Sequence, residues 1–399
     1  MSGFESLPRR PCPACAAVDP GPVFAQRFAQ ISGSLLSGYE VVVCRACGCG
    51  YADRLPAQQA FDAYYRDLSK YDHSERSGRE SEQDRARFGD IADLIARFVP
   101  DKASPVVEIG CATGGLLACL RDRGLSRVEG VDPSPYSAKA VERLYGIPAR
   151  AGTLSEDLAL SAPAGMIVLV GVLEHIRDLD PALERVRNLL APRGRIYVEV
   201  PDVTRFAEFI DAPYQQFSVE HVIFFSTASL ERTLRRNGFV PVHQEQDARP
   251  DSASSTMPVV AAVYERSDDG QPASARDEAT LPALREYVEK SAAMDRGIQN
   301  AIDRLVDSGE PVVVWGVGTH TARLLETSRL RKANIRAFVD SNANYHGKEL
   351  AGVPILPPDV LRERTEPVLI SSRVFQKEIA AQIRQQLRCQ NPIILLYPG

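Results

Sequence analysis

Val106-Val107-Glu108-Ile109-Gly110-Cys111-Ala112-Thr113-Gly114-Gly115, followed by Val128-Glu129-Gly130-Val131-Asp132-Pro133, is the stretch that decides the fold. A mostly apolar run enters a turn of small residues, and Leu116 to Arg123 then reads as a helix. About twenty residues after the turn, a second apolar run ends in an acid. Strand, turn, helix, strand and acid in that order describe a nucleotide pocket at the carboxyl edge of a parallel sheet. Small residues let a ligand come close to the backbone, which side chains would block. Asp132 is placed to accept hydrogen bonds from a ribose diol.

Two cofactors suit such a turn. A dinucleotide fold uses G-x-G-x-x-G and rests a pyrophosphate on the helix N-terminus. Here the run is E-x-G-x-x-x-G, with Ala112 where a middle glycine often sits. Glu108 would repel a pyrophosphate and suits a ligand with a cationic amino-acid end. On these residues the stretch resembles motif I of the class I S-adenosylmethionine (SAM) methyltransferases. Val131-Asp132-Pro133-Ser134 resembles their ribose-binding acid, and Gly165 to Ile176 their fourth strand with the helix after it. Arg193-Gly194-Arg195-Ile196-Tyr197-Val198-Glu199-Val200-Pro201 resembles their turn into strand five. The resemblance implies an α/β, Rossmann-like core, with Glu108, Gly110, Ala112, Gly114, Asp132, Pro133, Thr153 and Leu173 around SAM.

The 399 residues suffice for two or three domains, and 44% hydrophobic with 25% charged residues is ordinary for a globular chain. No apolar run approaches the ~20 residues that span a bilayer. The N-terminus lacks a signal-peptide core, so a cytoplasmic protein without a membrane partner is expected. A net charge of −5 gives no electrostatic reason to expect nucleic acid. Arginines are scattered apart from Arg232, Arg235 and Arg236, and nothing in the sequence fixes the oligomeric state.

Five of the eight cysteines fall in the first fifty residues. Cys12-Pro-Ala-Cys15 and Cys44-Arg-Ala-Cys47 form two CxxC pairs with 28 residues between them. Each pair puts two thiolates on one tight turn, and four thiolates make a closed structural zinc site. Strand-like runs at Val23 to Phe28 and Tyr39 to Val43 suggest a zinc ribbon. Cys49 could replace Cys47 at a poorer spacing, and a redox dithiol is the competing reading. Cys111, Cys119 and Cys389 read as small core residues.

Residues 1–60 are thus the expected ribbon. Residues 61–100 form a polar helical connector carrying Tyr64, Tyr65, Tyr71 and His73 and lining the active site. Residues 101–265 are the core. A linker starts at Asp268, and an amphipathic helix is expected over 281–308, with Leu284, Tyr287, Val288, Ile298, Ile302 and Leu305 inward. Within 281–399 a second α/β unit follows: Val312 to Trp315 as strand, Gly316-Val317-Gly318-Thr319-His320 as turn, Thr321 to Arg329 as helix and Ile335 to Val339 as strand before Asp340. Val368 to Ile370 and Ile393 to Leu396 add further strands. Gly316, Gly318, Thr319, His320 and Asp340 are candidates for holding the phosphates and sugar of a nucleotide substrate.

Ribbon, core and C-terminal Rossmann-like domain in this order resemble the bacterial sugar C-methyltransferases. Those enzymes methylate nucleotide-linked 4-keto-6-deoxy sugars at C3. The resemblance implies a small-molecule, thymidine-diphosphate-type sugar substrate, and an active site at Phe217 to Ser226 in which His221 is the base beside Glu220. The chemistry agrees: the carbon next to a ketone becomes nucleophilic only after losing a proton, and histidine, with a pKa of about 6.5, can take it. The oxygen of the enolate then needs a donor; Tyr71, Tyr65 and His175 are candidates. Two positions depart from the family. Ser218 stands where it has the tyrosine of Tyr-x-Glu-His, and the C-terminal loop lacks the lysine of Gly-x-Gly-x-x-Lys-Gly. Both departures leave room for O- or N-methylation. A nicotinamide enzyme using Gly316-x-Gly318 and a non-catalytic nucleic-acid binder are further alternatives.

Overall fold

The computed structural model describes residues 4–31, 34–67, 80–99, 101–156, 158–252, 255–268 and 275–397, and its apolar runs form three sheets. The first sheet begins with antiparallel β1 (Pro20–Arg27), β2 (Gly38–Cys44) and β3 (Gly50–Asp53). The Cys12–Cys15 turn precedes β1, and the Cys44–Cys47 turn joins β2 to β3. Helices α1 (Gln58–Asp67) and α2 (Glu82–Phe98) follow. A capping box between Ser81 and Asp84 starts α2, satisfying N–H groups that the first turn leaves unpaired.

The core alternates β4 (Val106–Ile109), α3 (Gly115–Asp122), β5 (Val128–Asp132), α4 (Pro135–Tyr145), β6 (Ala149–Ala151), β7 (Ala164–Val170), α5 (Leu179–Leu189) and β8 (Leu190–Pro201). After β9 (Ile223–Phe224) and α6 (Thr227–Arg236), a long hairpin of β10 (Phe239–Ser252) and β11 (Ser255–Arg266) completes it. The sheet order is β10-β11-β8-β7-β4-β5-β6, and β11 alone runs against the rest. This is the α/β, Rossmann-like fold of the class I methyltransferases. β4 is buried along its whole length, as a central parallel strand with both faces covered must be. From β4 the chain winds outward through β5 and β6 on one side and β7 and β8 on the other, so a crevice opens beyond the carboxyl ends of β4 and β7.

β9 leaves the core sheet. It pairs with β3, Gly50 opposite Phe224 and Tyr51 opposite Ile223, as the fourth strand of the cysteine-bearing sheet. The unit expected to end near residue 60 therefore closes only with a strand supplied from the core. Tyr39, Tyr51 and Phe61 share one continuous apolar cluster with Phe217, Phe224 and Phe225.

Helix α7 (Thr280–Ser308) buries Leu284, Tyr287, Ile298 and Ile302 and half-buries Val288 and Leu305. The last sheet contains β12 (Val312–Trp315), β13 (Ile335–Val339), β14 (Glu349–Leu350), β15 (Val353–Leu356), β16 (Val368–Ile370) and β17 (Ile393–Leu395). Its order is β14-β15-β13-β12-β16-β17, parallel apart from β14. Helix α8 (Thr319–Thr327) follows β12 and begins two residues earlier than expected, because extended Gly318 already serves as its N-cap. Among the described residues no helix is long and apolar enough to cross a membrane.

Candidate active site

The turn after β4 is held open from two sides. Gly110 has φ +84°, and a Cβ there would lie 2.7 Å from Val172 Cγ2. Ala112 also takes a positive φ, and its N–H donates to Asp132 Oδ2 at 2.9 Å. Asp132 Oδ1 accepts from the Ser134 N–H at 2.9 Å. The acid thus braces the turn through both carboxylate oxygens and stands on the wall of the space beyond it. A cavity of about 730 Å³ opens here, with Gly110, Ala112, Asp132, Pro133, Thr153 and His175 on its wall. Three expected contacts, Glu108, Leu173 and Gly114, are not on that wall. Leu173 is fully buried in the core, and Gly114 caps α3 at φ +89° against Val141.

Glu108 lies under the turn, 5% exposed, and its Oε2 has no hydrogen-bond partner. Burial, then the neighbouring Asp132, pushes its carboxyl up to about 8, against the lowering pull of Arg87. Without a ligand the group is therefore largely protonated at neutral pH. A cationic group placed beside it favours the carboxylate and expels the proton. The residues thus fit the amino-acid end of SAM. The expected result is proton release on SAM binding and an affinity that rises from about pH 6 to about pH 7.5, below the ordinary α-amino pKa of about 7.7–8. Calorimetry in buffers of different ionisation enthalpy reads both. An affinity that is flat with pH, and the same in Glu108→Gln, would contradict this role.

The segment before β9 carries the candidate base. The Ser218 hydroxyl accepts the N–H groups of Glu220 at 3.2 Å and His221 at 3.1 Å, which fixes the bend that presents both residues. A tyrosine at this position could not fold back in this way, so the departure at Ser218 has a local reason. Tyr64 donates to Glu220 Oε1 at 3.1 Å. His175 Nδ1 lies 2.8 Å from the Tyr65 hydroxyl and 3.2 Å from the Glu220 carbonyl oxygen. The rings of His175 and His221 meet edge-on with centroids 4.9 Å apart. Burial, then Glu220, pushes both tyrosine hydroxyls above their usual range, so they are neutral donors. Glu174 is buried behind His175, and burial raises its carboxyl to about 8. Glu174, His175 and His221 place ligand-type atoms within 4.8 Å of one another.

The structure therefore groups His221, Glu220, His175 and Tyr65, with Glu220, His175 and Tyr65 on the cavity wall and His221 off it against the His175 ring. It also gives Tyr64, named in the sequence only as part of the connector, a contact with Glu220. Tyr71 lies outside the described residues. Ser218→Ala removes an acceptor from two N–H groups, a loss of about 1–3 kcal/mol. A fall in kcat of roughly tenfold or more is expected, with SAM affinity unchanged; an unaltered kcat would show that the bend forms without it.

At the C-terminal sheet the same bracing recurs. Asp340 accepts the Val317 N–H at 2.9 Å and the Asn342 N–H at 2.8 Å. A hollow of about 130 Å³ lies against this turn, lined in part by Gly318, Thr319, Tyr345 and Lys348. Lys348 offers a cation that the loop itself lacks, from a position with no motif to mark it. Tyr64 and Glu220 line this hollow and the large cavity alike. His320 points elsewhere: its Nε2 lies 2.7 Å from the Tyr397 hydroxyl, and burial, then Arg323, holds its pKa down to about 3. It is a neutral ring paired inside the domain.

Cys12, Cys15, Cys44 and Cys47 place their sulfurs within 4.8 Å of one another, while the Cys49 thiol turns to the Gly50 carbonyl at 3.6 Å. Four soft donors from two tight turns fit a tetrahedral zinc ion. Gly48 lets the second turn pass Asp277, whose carbonyl oxygen would be 1.9 Å from a Cβ there.

Residues 83–244 match the family model of a methyltransferase domain, and residues 309–394 match the family described as C2185-like, N-terminal. The C-methyltransferase NovU of Streptomyces niveus is 26% identical over 346 residues, which cover 82% of this chain and 78% of that protein. The ubiquinone biosynthesis O-methyltransferase of Xylella fastidiosa is 32% identical over 113 residues, covering 27% of this chain and 45% of its own length. Among solved structures, the 1,6-didemethyltoxoflavin-N1-methyltransferase of Burkholderia thailandensis with S-adenosylhomocysteine is 20% identical, with a TM-score of 0.42 over 63% of this chain and 100% of that one. The chain carries a class I methyltransferase domain and is a SAM-dependent methyltransferase.

Proposed function

We propose that this methyltransferase acts on a nucleotide-linked keto-deoxysugar, of the thymidine-diphosphate type, and methylates the carbon beside the ketone. The observation that carries this reading is the meeting of the two cavities at Tyr64 and Glu220. A substrate with a sugar at one end and a nucleoside diphosphate at the other suits that arrangement. Its sugar would lie by Glu220 and His221, and its phosphates by Gly318, Thr319 and Lys348. The 26% identity to a C-methyltransferase along most of the chain supports the same reaction.

SAM supplies an electrophilic methyl on a sulfonium. This chain's residues must make the nucleophile. His221 takes the proton from the carbon next to the ketone, and the electron pair of that C–H bond becomes the enolate. Glu220, the next residue in the chain and an acceptor from Tyr64, would favour the charged imidazole. Tyr65 and His175, which meet at 2.8 Å on the cavity wall, are the candidate donors to the developing oxygen charge. With SAM held at Gly110 and Asp132, the enolate carbon would take the methyl, and the methyl–sulfur electron pair would stay on sulfur.

The test incubates the protein with SAM and a thymidine-diphosphate 4-keto-6-deoxyhexose and locates the new methyl by NMR. A methyl on carbon supports the reading; failure to methylate such sugars despite SAM binding overturns it. A second reading rests on the Glu174, His175 and His221 cluster. Two imidazoles and a carboxylate suit a divalent cation that would activate a hydroxyl, giving O-methylation. Activity abolished by chelator and restored by a divalent cation, with the methyl on oxygen, would favour it.

A further inference from the structure

We propose that Arg10 is a positioning residue that sets the base segment from the cysteine-bearing module; this rests on the assignment of His221 as base. Arg10 is 3% exposed and stands two residues before Cys12. Its guanidinium reaches out of its own sheet in two directions. One nitrogen donates to the carbonyl of Arg177 at 2.9 Å, in the loop after His175. Another donates to the carbonyl of Val222 at 3.2 Å, the residue after His221. Among the described residues no carboxylate pairs with its guanidinium; the ion pairs with Glu40 and Asp53 are made by Arg9. The Tyr51 ring lies under it, 5.3 Å from the guanidinium carbon. Burying a cation without a carboxylate is costly, and two aimed carbonyls are what this one gains. A planar fork can hold two carbonyls at a fixed separation, which an ammonium cannot.

The backbone around Arg10 is itself fixed. Its N–H donates to Asp53 at 2.8 Å, and Asp53 also takes an ion pair from Arg9. Three further contacts run from the same module to the same segment. Gln26 donates to the Phe217 carbonyl at 2.9 Å, Tyr39 to the Ser218 carbonyl at 2.8 Å, and the Ala52 N–H to the Val222 carbonyl at 3.0 Å. Those three hold the segment alone. Arg10 is the member that also reaches the loop after His175, so it reinforces from the module a spacing between the two imidazoles that the Val222 N–H, donating to the Glu174 carbonyl at 2.8 Å, sets locally.

The test compares Arg10→Lys and Arg10→Gln with the wild-type chain, each loaded with zinc. kcat is expected to fall by roughly 10–100-fold, in line with a misplacement of about 1 Å at a reacting group. KM for sugar, SAM affinity and zinc content stay at their wild-type values. The chain has six histidines, so 15N-histidine spectra can follow the imidazoles without reference to turnover. The two signals assigned to His175 and His221 shift in both variants, and the others stay. Unmoved histidine signals, or an unchanged kcat, overturn the proposal. Zinc loss in Arg10→Lys would also overturn it, because Arg10 would then serve cluster assembly. Shifted histidine signals in a chain whose wild type transfers no methyl to sugars would leave the positioning standing and remove the assigned reaction.

Discussion

His221→Ala abolishes methyl transfer, with kcat down by roughly 10²–10⁴, the usual worth of a positioned acid–base group. SAM affinity stays at the wild-type value, because His221 is not on the wall of the cavity formed by Gly110, Asp132 and Thr153. Its fold should hold as well, since the bend at Ser218 is made by backbone N–H groups and not by the imidazole. His175→Ala is the paired control. It removes a wall residue and the partner of Tyr65, and it should lower kcat while leaving measurable turnover. Complete loss in His175→Ala with turnover retained in His221→Ala would move the base to the other ring.

Cys44→Ser gives the largest expected loss of stability. Structural zinc in small cysteine modules supplies apparent binding energies of about 10–16 kcal/mol. That is as large as the whole net stability of an ordinary domain, about 5–15 kcal/mol. The consequence reaches the active site here, because β3 pairs with β9 immediately after His221. Wild-type chain is expected to hold one zinc; Cys44→Ser holds less, melts at a lower temperature and turns over poorly. Cys49→Ser is expected to keep its zinc, since the two CxxC turns already supply four thiolates. Full zinc content and an unchanged melting temperature in Cys44→Ser would remove the metal from the account.

What the sequence made legible was local. Glu108, Gly110 and Asp132 lie on one strand–turn–helix–strand unit, and each is marked by its neighbours. The cysteine pairs announce themselves by spacing. Gly114 was readable as a glycine but not in its role: its left-handed backbone caps α3, which a pattern of small residues cannot separate from ligand contact. His320 follows the second glycine turn as a phosphate-binding residue would, yet Tyr397, distant in sequence, draws it inward. The joining of the module to the core was hidden for the same reason. Residues 223–224 form a two-residue strand with no periodicity, and their partner is β3. Arg10, Tyr64 and Lys348 acquire meaning only from what the fold places opposite them.

The most direct test of enolate chemistry leaves the methyl donor out. Wild-type chain and His221→Ala are each incubated in D2O with the thymidine-diphosphate 4-keto-6-deoxyhexose and without SAM, and the sugar is weighed by mass spectrometry. The account predicts deuterium uptake at the carbon beside the ketone with wild type and none above the enzyme-free rate with His221→Ala. Equal uptake with both proteins, or no uptake with a wild-type chain that still transfers methyl to that sugar, would contradict it.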